Sequence, residues 1–98
     1  MTLAVTFRRA ARAEFLEAAA RYEAQRSGLG AEFISEVERC IALAAEQPQL
    51  YAIVHKNTRR VAVRRFPYSI YFRAEPFRIV VLAVFHGNRD PAIRQSRA

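Results

Sequence analysis

The sequence predicts an α+β domain: a helix hairpin packed on one face of a small, mainly antiparallel sheet, in the order β-α-α-β-β-β. Three observations lead there. Apolar residues alternate at period two near the start, then take a helical period over residues 10–46. Strand-like runs return after residue 58, and the last of them, "FRIVVLAVF" (77–85), is apolar on both faces. A length of 98 residues, 52% of them hydrophobic, suffices for one core, so residues 1–98 are read as a single globular domain.

The elements follow in order. Leu3, Val5 and Phe7 alternate with Thr2, Ala4 and Thr6, a short strand with one apolar face. From about Ala10 to Arg26, the residues Ala11, Phe15, Ala18, Ala19 and Tyr22 share one side of a helix. Alanine is dense here and helix propensity is high. Arg12, Arg21 and Arg26 are expected on the outer face, where Glu17 stands four residues before Arg21. "SGLG" (27–30) interrupts the helix, because its glycines tolerate positive φ. A second helix runs from about Leu29 to Glu46, with Phe33, Val37, Cys40, Ile41 and Ala44 inward, and Pro48 ends it. So short a connection implies an antiparallel pair.

Residues 47–60 are expected to be a loop leading into a strand, with His55 solvated in the polar stretch "VHKNT". Three strands follow: "RRVAVRRF" (59–66), "YSIYFRA" (68–74) and the apolar run at 77–85, with Glu75-Pro76 turning between the last two. Pro67 lacks an amide donor and belongs at an edge or bend. Tyr68 and Tyr71 stand three apart in a strand and face opposite sides, so one is expected in the core and one exposed. As the last strand is apolar on both faces, it is expected near the sheet centre.

Net charge is +7, and 15 of the 16 basic residues are arginine, Lys56 being the exception. Arginine forms planar, two-pronged contacts with carboxylates and phosphates, so acidic partners are expected. The abundance of alanine alongside arginine is also what GC-rich coding produces. No apolar run reaches the roughly 20 residues needed to span a bilayer. The opening "MTLAVTFRR" places basic residues after apolar ones, the reverse of a secretion signal, and the expected location is cytoplasmic. A single cysteine, Cys40, permits no internal disulfide and no cysteine cluster; on the inner helix face it reads as a small apolar residue. No metal and no cofactor are expected.

Two blocks carry functional information: "RRFPYSIYFR" (64–73) and "IVVLAVFHGNRDP" (79–91). The second ends an apolar strand in a histidine, a Gly-Asn turn and Arg-Asp-Pro. In this order and at this length, the chain resembles the ParE branch of the RelE/ParE toxin superfamily of type II toxin–antitoxin modules. The resemblance implies a toxin that inhibits DNA gyrase and is held silent by a cognate antitoxin in a hetero-oligomeric complex. RelE-type relatives instead cleave mRNA on the ribosome. Direct binding of nucleic acid is the lesser expectation, and no membrane partner is implied. On the gyrase reading, the target- or partner-binding residues are Arg64, Arg65, Tyr71, Arg73, His86, Arg89 and Ile93. On the ribonuclease reading, His86 is the general acid and Arg65 and Arg73, with Arg64, neutralise the developing phosphorane charge. The lysine-rich cluster of RelE-type sites is missing, which favours the gyrase reading, with His86 a structural or partner-contact residue that bonds a backbone carbonyl and fixes the tail. Family tails commonly place a tryptophan after Arg-Asp-Pro. This chain has "AIRQSRA" and no tryptophan, leaving Ile93 a lesser packing role and keeping open a third reading, an antitoxin-binding module without toxicity.

Overall fold

A computed structural model of the chain describes residues 2–87. Strand β1 (Ala4–Phe7) leads into helices α1 (Arg9–Gln25) and α2 (Leu29–Glu46). A short 3-10 turn (Pro48–Leu50) precedes β2 (Ile53–His55), β3 (Thr58–Ala62), β4 (Tyr68–Ala74) and β5 (Arg78–His86). The five strands form one sheet in the order β1-β5-β4-β3-β2. Only β1 is parallel to its neighbour; the other pairings are antiparallel. The helical connection carries the chain across the sheet, so the first strand lies beside the last.

Both glycines of the helix corner are required, for different reasons. Gly28 has φ 90°, a left-handed conformation. Gly30 lies where the helices approach: a Cβ there would stand 2.7 Å from the Ala19 carbonyl oxygen. The Glu23 carboxylate closes the corner, accepting from the amides of Gly28 (2.9 Å) and Gly30 (3.0 Å). An aromatic cluster joins hairpin to sheet. Phe33 of α2 meets Tyr22, Phe66 and Tyr68 with ring centroids 5.1, 5.2 and 5.1 Å away. Such offset and edge-on pairs add directionality to area burial.

Three sequence expectations need correction. Residues 53–55 form a strand rather than loop: Lys56 and Asn57 turn it back onto β3, and Lys56 takes φ 49°. His55 is accordingly half-buried opposite Thr58, not solvated. Next, β3 stops at Ala62, Val63 still donates to the Tyr68 carbonyl at 2.8 Å, and residues 64–67 form the bend between β3 and β4, with Arg65 at φ 73°. Arg64 and Arg65 therefore stand on a turn rather than a strand. Finally, Tyr68 and Tyr71 do face opposite sides, but both are buried, at 6% and 2% exposure.

The face away from the helices explains Tyr71. Its ring lies 5.7 Å from that of Phe85, and with Ala83 they form a second buried cluster. A bulge makes this possible. Tyr71 pairs with Ala83 but Phe72 pairs with Val81, so Leu82 is the extra residue. Parity in β5 switches there: Ile79 and Val81 point to the helices, and so do Val84 and His86.

Candidate functional site

The end of β5 is organised by Tyr68. His86 stands directly across the ladder from it, and the two rings meet at right angles with centroids 5.2 Å apart. The imidazole is exposed. Gly87 then adopts φ 55° and donates its amide to the Pro67 carbonyl, which ties the strand end to the turn at 63–67. Among the described residues, strand-end anchoring runs through a ring contact and a main-chain bond, and no side-chain bond from His86 to a carbonyl is seen; the tail that His86 is expected to fix lies outside the described residues.

Arg21 is exposed on α1, as its place on the outer face predicts, but there its Nη2 also donates to the Tyr68 hydroxyl at 2.8 Å, a contact across 47 positions that the helical pattern does not announce. That hydrogen bond, with the charge interaction beside it, raises the Arg21 pKa above its ordinary value. A depression of about 210 Å³ opens here, lined by Glu14, Glu17, Arg21, Tyr68, Val84 and Phe85. Glu14 accepts the Val84 amide at 3.0 Å, capping β5 where β1 has already ended. The signal was present in the sequence: Glu14, Glu17 and Arg21 are spaced three and four apart, one polar stripe bordering buried Ala11 and Ala18.

The turn at 63–67 presents two arginines in different settings. Arg65 donates to Glu32 at 2.7 Å and lies over the Phe66 ring, 5.4 Å from its centroid. Arg26 approaches the same carboxylate at 3.4 Å, so the end of α1, the start of α2 and this turn share one ion cluster. The Arg65 hydrogen bond, with Arg26 adding charge, holds the Glu32 carboxyl below the usual carboxylate range. Arg64 is exposed and borders a groove of about 440 Å³ with Arg39, over an apolar floor that includes Leu43, Tyr51 and Val63.

Arg73 belongs elsewhere. It lies on the Tyr71 face of β4, five residues from Tyr68, or roughly 17 Å at the usual rise. There it bonds Glu75 through Nη2 at 3.0 Å, and Glu75 also accepts from Arg78 at 2.7 Å. These two bonds, Arg78's the larger cause, lower the Glu75 pKa. His86, Arg65 and Arg73 are therefore not one constellation: His86 and Arg73 occupy opposite faces and opposite ends of the β4–β5 pair. The buried Tyr71 ring offers no face to a partner. Arg89 and Ile93 lie outside the described residues.

Among the described residues, no group of three His, Cys, Asp or Glu side chains is placed to hold a metal, and no helix is long and apolar enough to cross a membrane. Cys40 is buried, its sulfur 3.8 Å from the Ala62 carbonyl oxygen.

The described residues thus form a helix hairpin on a mixed five-stranded sheet, with an arginine-bearing turn beside the last strand. The chain belongs to the ParE toxin family: residues 5–91 match the family described as ParE toxin of type II toxin-antitoxin system, parDE. Among solved structures, a chain of the chromosomal ParDE TA system from P. aeruginosa superposes with a TM-score of 0.76. That match covers 89% of this chain and 98% of the other at 14% identity, a likeness of fold. A search of curated proteins returned no match.

Proposed function

We propose that this ParE-family toxin arrests growth by inhibiting DNA gyrase, without chemistry of its own, and that a cognate antitoxin silences it in the cytoplasm. The observation that carries the non-enzymatic reading is the setting of His86. A general acid for RNA cleavage needs cationic groups gathered around the scissile phosphate. The depression next to His86 holds two carboxylates, Glu14 and Glu17, and one guanidinium already bound to Tyr68. Arg73 is at the far end of the sheet, held by Glu75. A phosphodiester would meet repulsion here rather than a clamp.

The partner-facing surface on this reading is the exposed arginine turn, Arg64 and Arg65, with His86 beside it. Grooves flanking α2 supply apolar area for an antitoxin segment that folds on binding. Induced expression of the chain in bacteria tests the proposal. Growth should stop, co-expression of the protein encoded next to its gene should restore it, and mapped mRNA ends should show no codon-linked cleavage. Cleavage at ribosomal A-site codons would overturn the reading.

A further inference from the structure

Arg60 carries an unmatched charge on the face of the sheet away from the helices. It stands opposite Tyr71 in the β3–β4 ladder, and its Nε donates to the Ser69 hydroxyl at 3.0 Å. The side chain is half-buried, yet among the described residues neither Nη group has a hydrogen-bond acceptor or a carboxylate. Partial loss of water makes a charge without a counter-ion costly. Ser69 is buried and accepts from Arg60, and its own O–H has no acceptor among the described residues. Two positions from Arg60 on the same face, the buried Thr58 hydroxyl has no partner either. Three donor groups on one strip of β3–β4 therefore lack an acceptor.

The shape of the strip admits a ligand beside the guanidinium. Ser69 pairs with Ala62 across the ladder, so two small residues keep the face low there, and Ala62 is exposed. An unmatched guanidinium beside a free hydroxyl selects an anion. A nucleic-acid backbone is held by several cations in a row. Arg73, the other arginine of this strip, already bonds Glu75 at 3.0 Å. One planar fork with one hydroxyl matches a single carboxylate.

We propose that Arg60 and Ser69 receive an aspartate or glutamate side chain of the toxin's protein target on the outer face of the sheet. The carboxylate accepts from the two Nη groups and from the Ser69 hydroxyl, and the low surface at Ala62 leaves room for the chain that carries it. The inference rests on the reading of the chain as a toxin that acts by protein contact. It adds to the arginine turn a contact on the side of the sheet opposite the helix hairpin.

Two variants test it, each checked for folding by circular dichroism and thermal melting. Arg60→Lys keeps the charge and loses the fork. Arg60→Ala with Ser69→Ala removes the receptor without leaving the buried hydroxyl unpaired. The double variant should raise the concentration that half-inhibits gyrase supercoiling at least about tenfold, the worth of a hydrogen-bonded charge, and Arg60→Lys should raise it about threefold or more. Arg60→Lys decides the matter if the double variant fails to fold. Fluorescence anisotropy with a labelled DNA duplex and a labelled single-stranded RNA should show no binding that depends on Arg60. Folded variants as inhibitory as the wild type, or Arg60-dependent binding of either nucleic acid, would overturn the proposal. If the wild type leaves supercoiling unimpaired, the gyrase reading fails by itself, and the same variants scored by growth arrest on induced expression still decide: weakened arrest supports the receptor, and undiminished arrest overturns it.

Discussion

His86 looks catalytic by position, and its surroundings give it a different task. Its ring packs edge-on against Tyr68, and Tyr68 in turn holds Arg21. Replacing His86 with Asn removes a half-solvated ring contact, a cost of up to about 1 kcal/mol. We expect the variant to stay folded and to arrest growth like the wild type; loss of toxicity in a well-folded Asn variant would return the proton-donor role to His86. Tyr68→Phe should cost about 1 kcal/mol in denaturant unfolding, the usual net worth of one hydrogen bond. Arg21→Ala should cost a similar amount, and the double variant little more than either single, since both delete one bond. Additive losses would mean that the 2.8 Å contact contributes nothing. Single-residue roles were the least legible part of the sequence. Arg21 sits on a helix where every neighbour four residues away suggested solvent, and only the fold brings Tyr68, 47 positions later, within reach.

Elements were far more legible, and the exceptions have physical causes. Both helices appear within a residue of the expected bounds, because periodicity, alanine content and the "SGLG" breaker agree. Strand β2 was hidden: it is three residues long, and its turn uses Lys56 at positive φ where an Asn-Gly or Asp-Gly pair would have announced a hairpin. The Leu82 bulge was hidden too, since an all-apolar run gives no alternation in which a parity switch could be seen. Helix-corner glycines offer a graded test. Gly30→Ala drives a Cβ against the Ala19 carbonyl and should cost about 1–3 kcal/mol. Gly28→Ala meets open space and pays only for its positive φ, about 1 kcal/mol. Equal losses in chemical denaturation would contradict the close-approach account. The ion cluster at that corner sets a pH window. Glu32 has a lowered pKa in the fold, so its contribution is complete above the ordinary carboxyl value of 4.5 and is lost as pH falls through the lowered folded value. The difference in melting temperature between wild type and Glu32→Gln should be constant from about pH 7 to 5 and shrink in more acidic solution. A difference that grows on acidification would reverse the sign of this linkage.

At the scale of the whole molecule, charge and fold point the same way. A net charge of +7 is spread so that Glu23, Glu32 and Glu75 close corners of the fold, while Arg8, Arg9, Arg12 and Arg64 remain exposed with no ion-pair partner among the described residues. Such a surface suits capture by an acidic protein, and association with the antitoxin should weaken steeply as salt rises. The β-α-α-β-β-β framework and the family were readable from order, length and two motif blocks. The site was not, because Arg73 is close to His86 in motif but lies on the opposite face and at the opposite end of the β4–β5 pair. The central claim, a toxin that acts on gyrase rather than on RNA, is tested most directly by adding the purified chain to two reconstituted reactions: gyrase supercoiling of relaxed plasmid, and ribosomes programmed with a defined mRNA. Inhibited supercoiling with intact mRNA, for the wild type and for His86→Asn alike, is the predicted result. Unimpaired supercoiling with codon-linked mRNA cleavage, lost in His86→Asn, would contradict it.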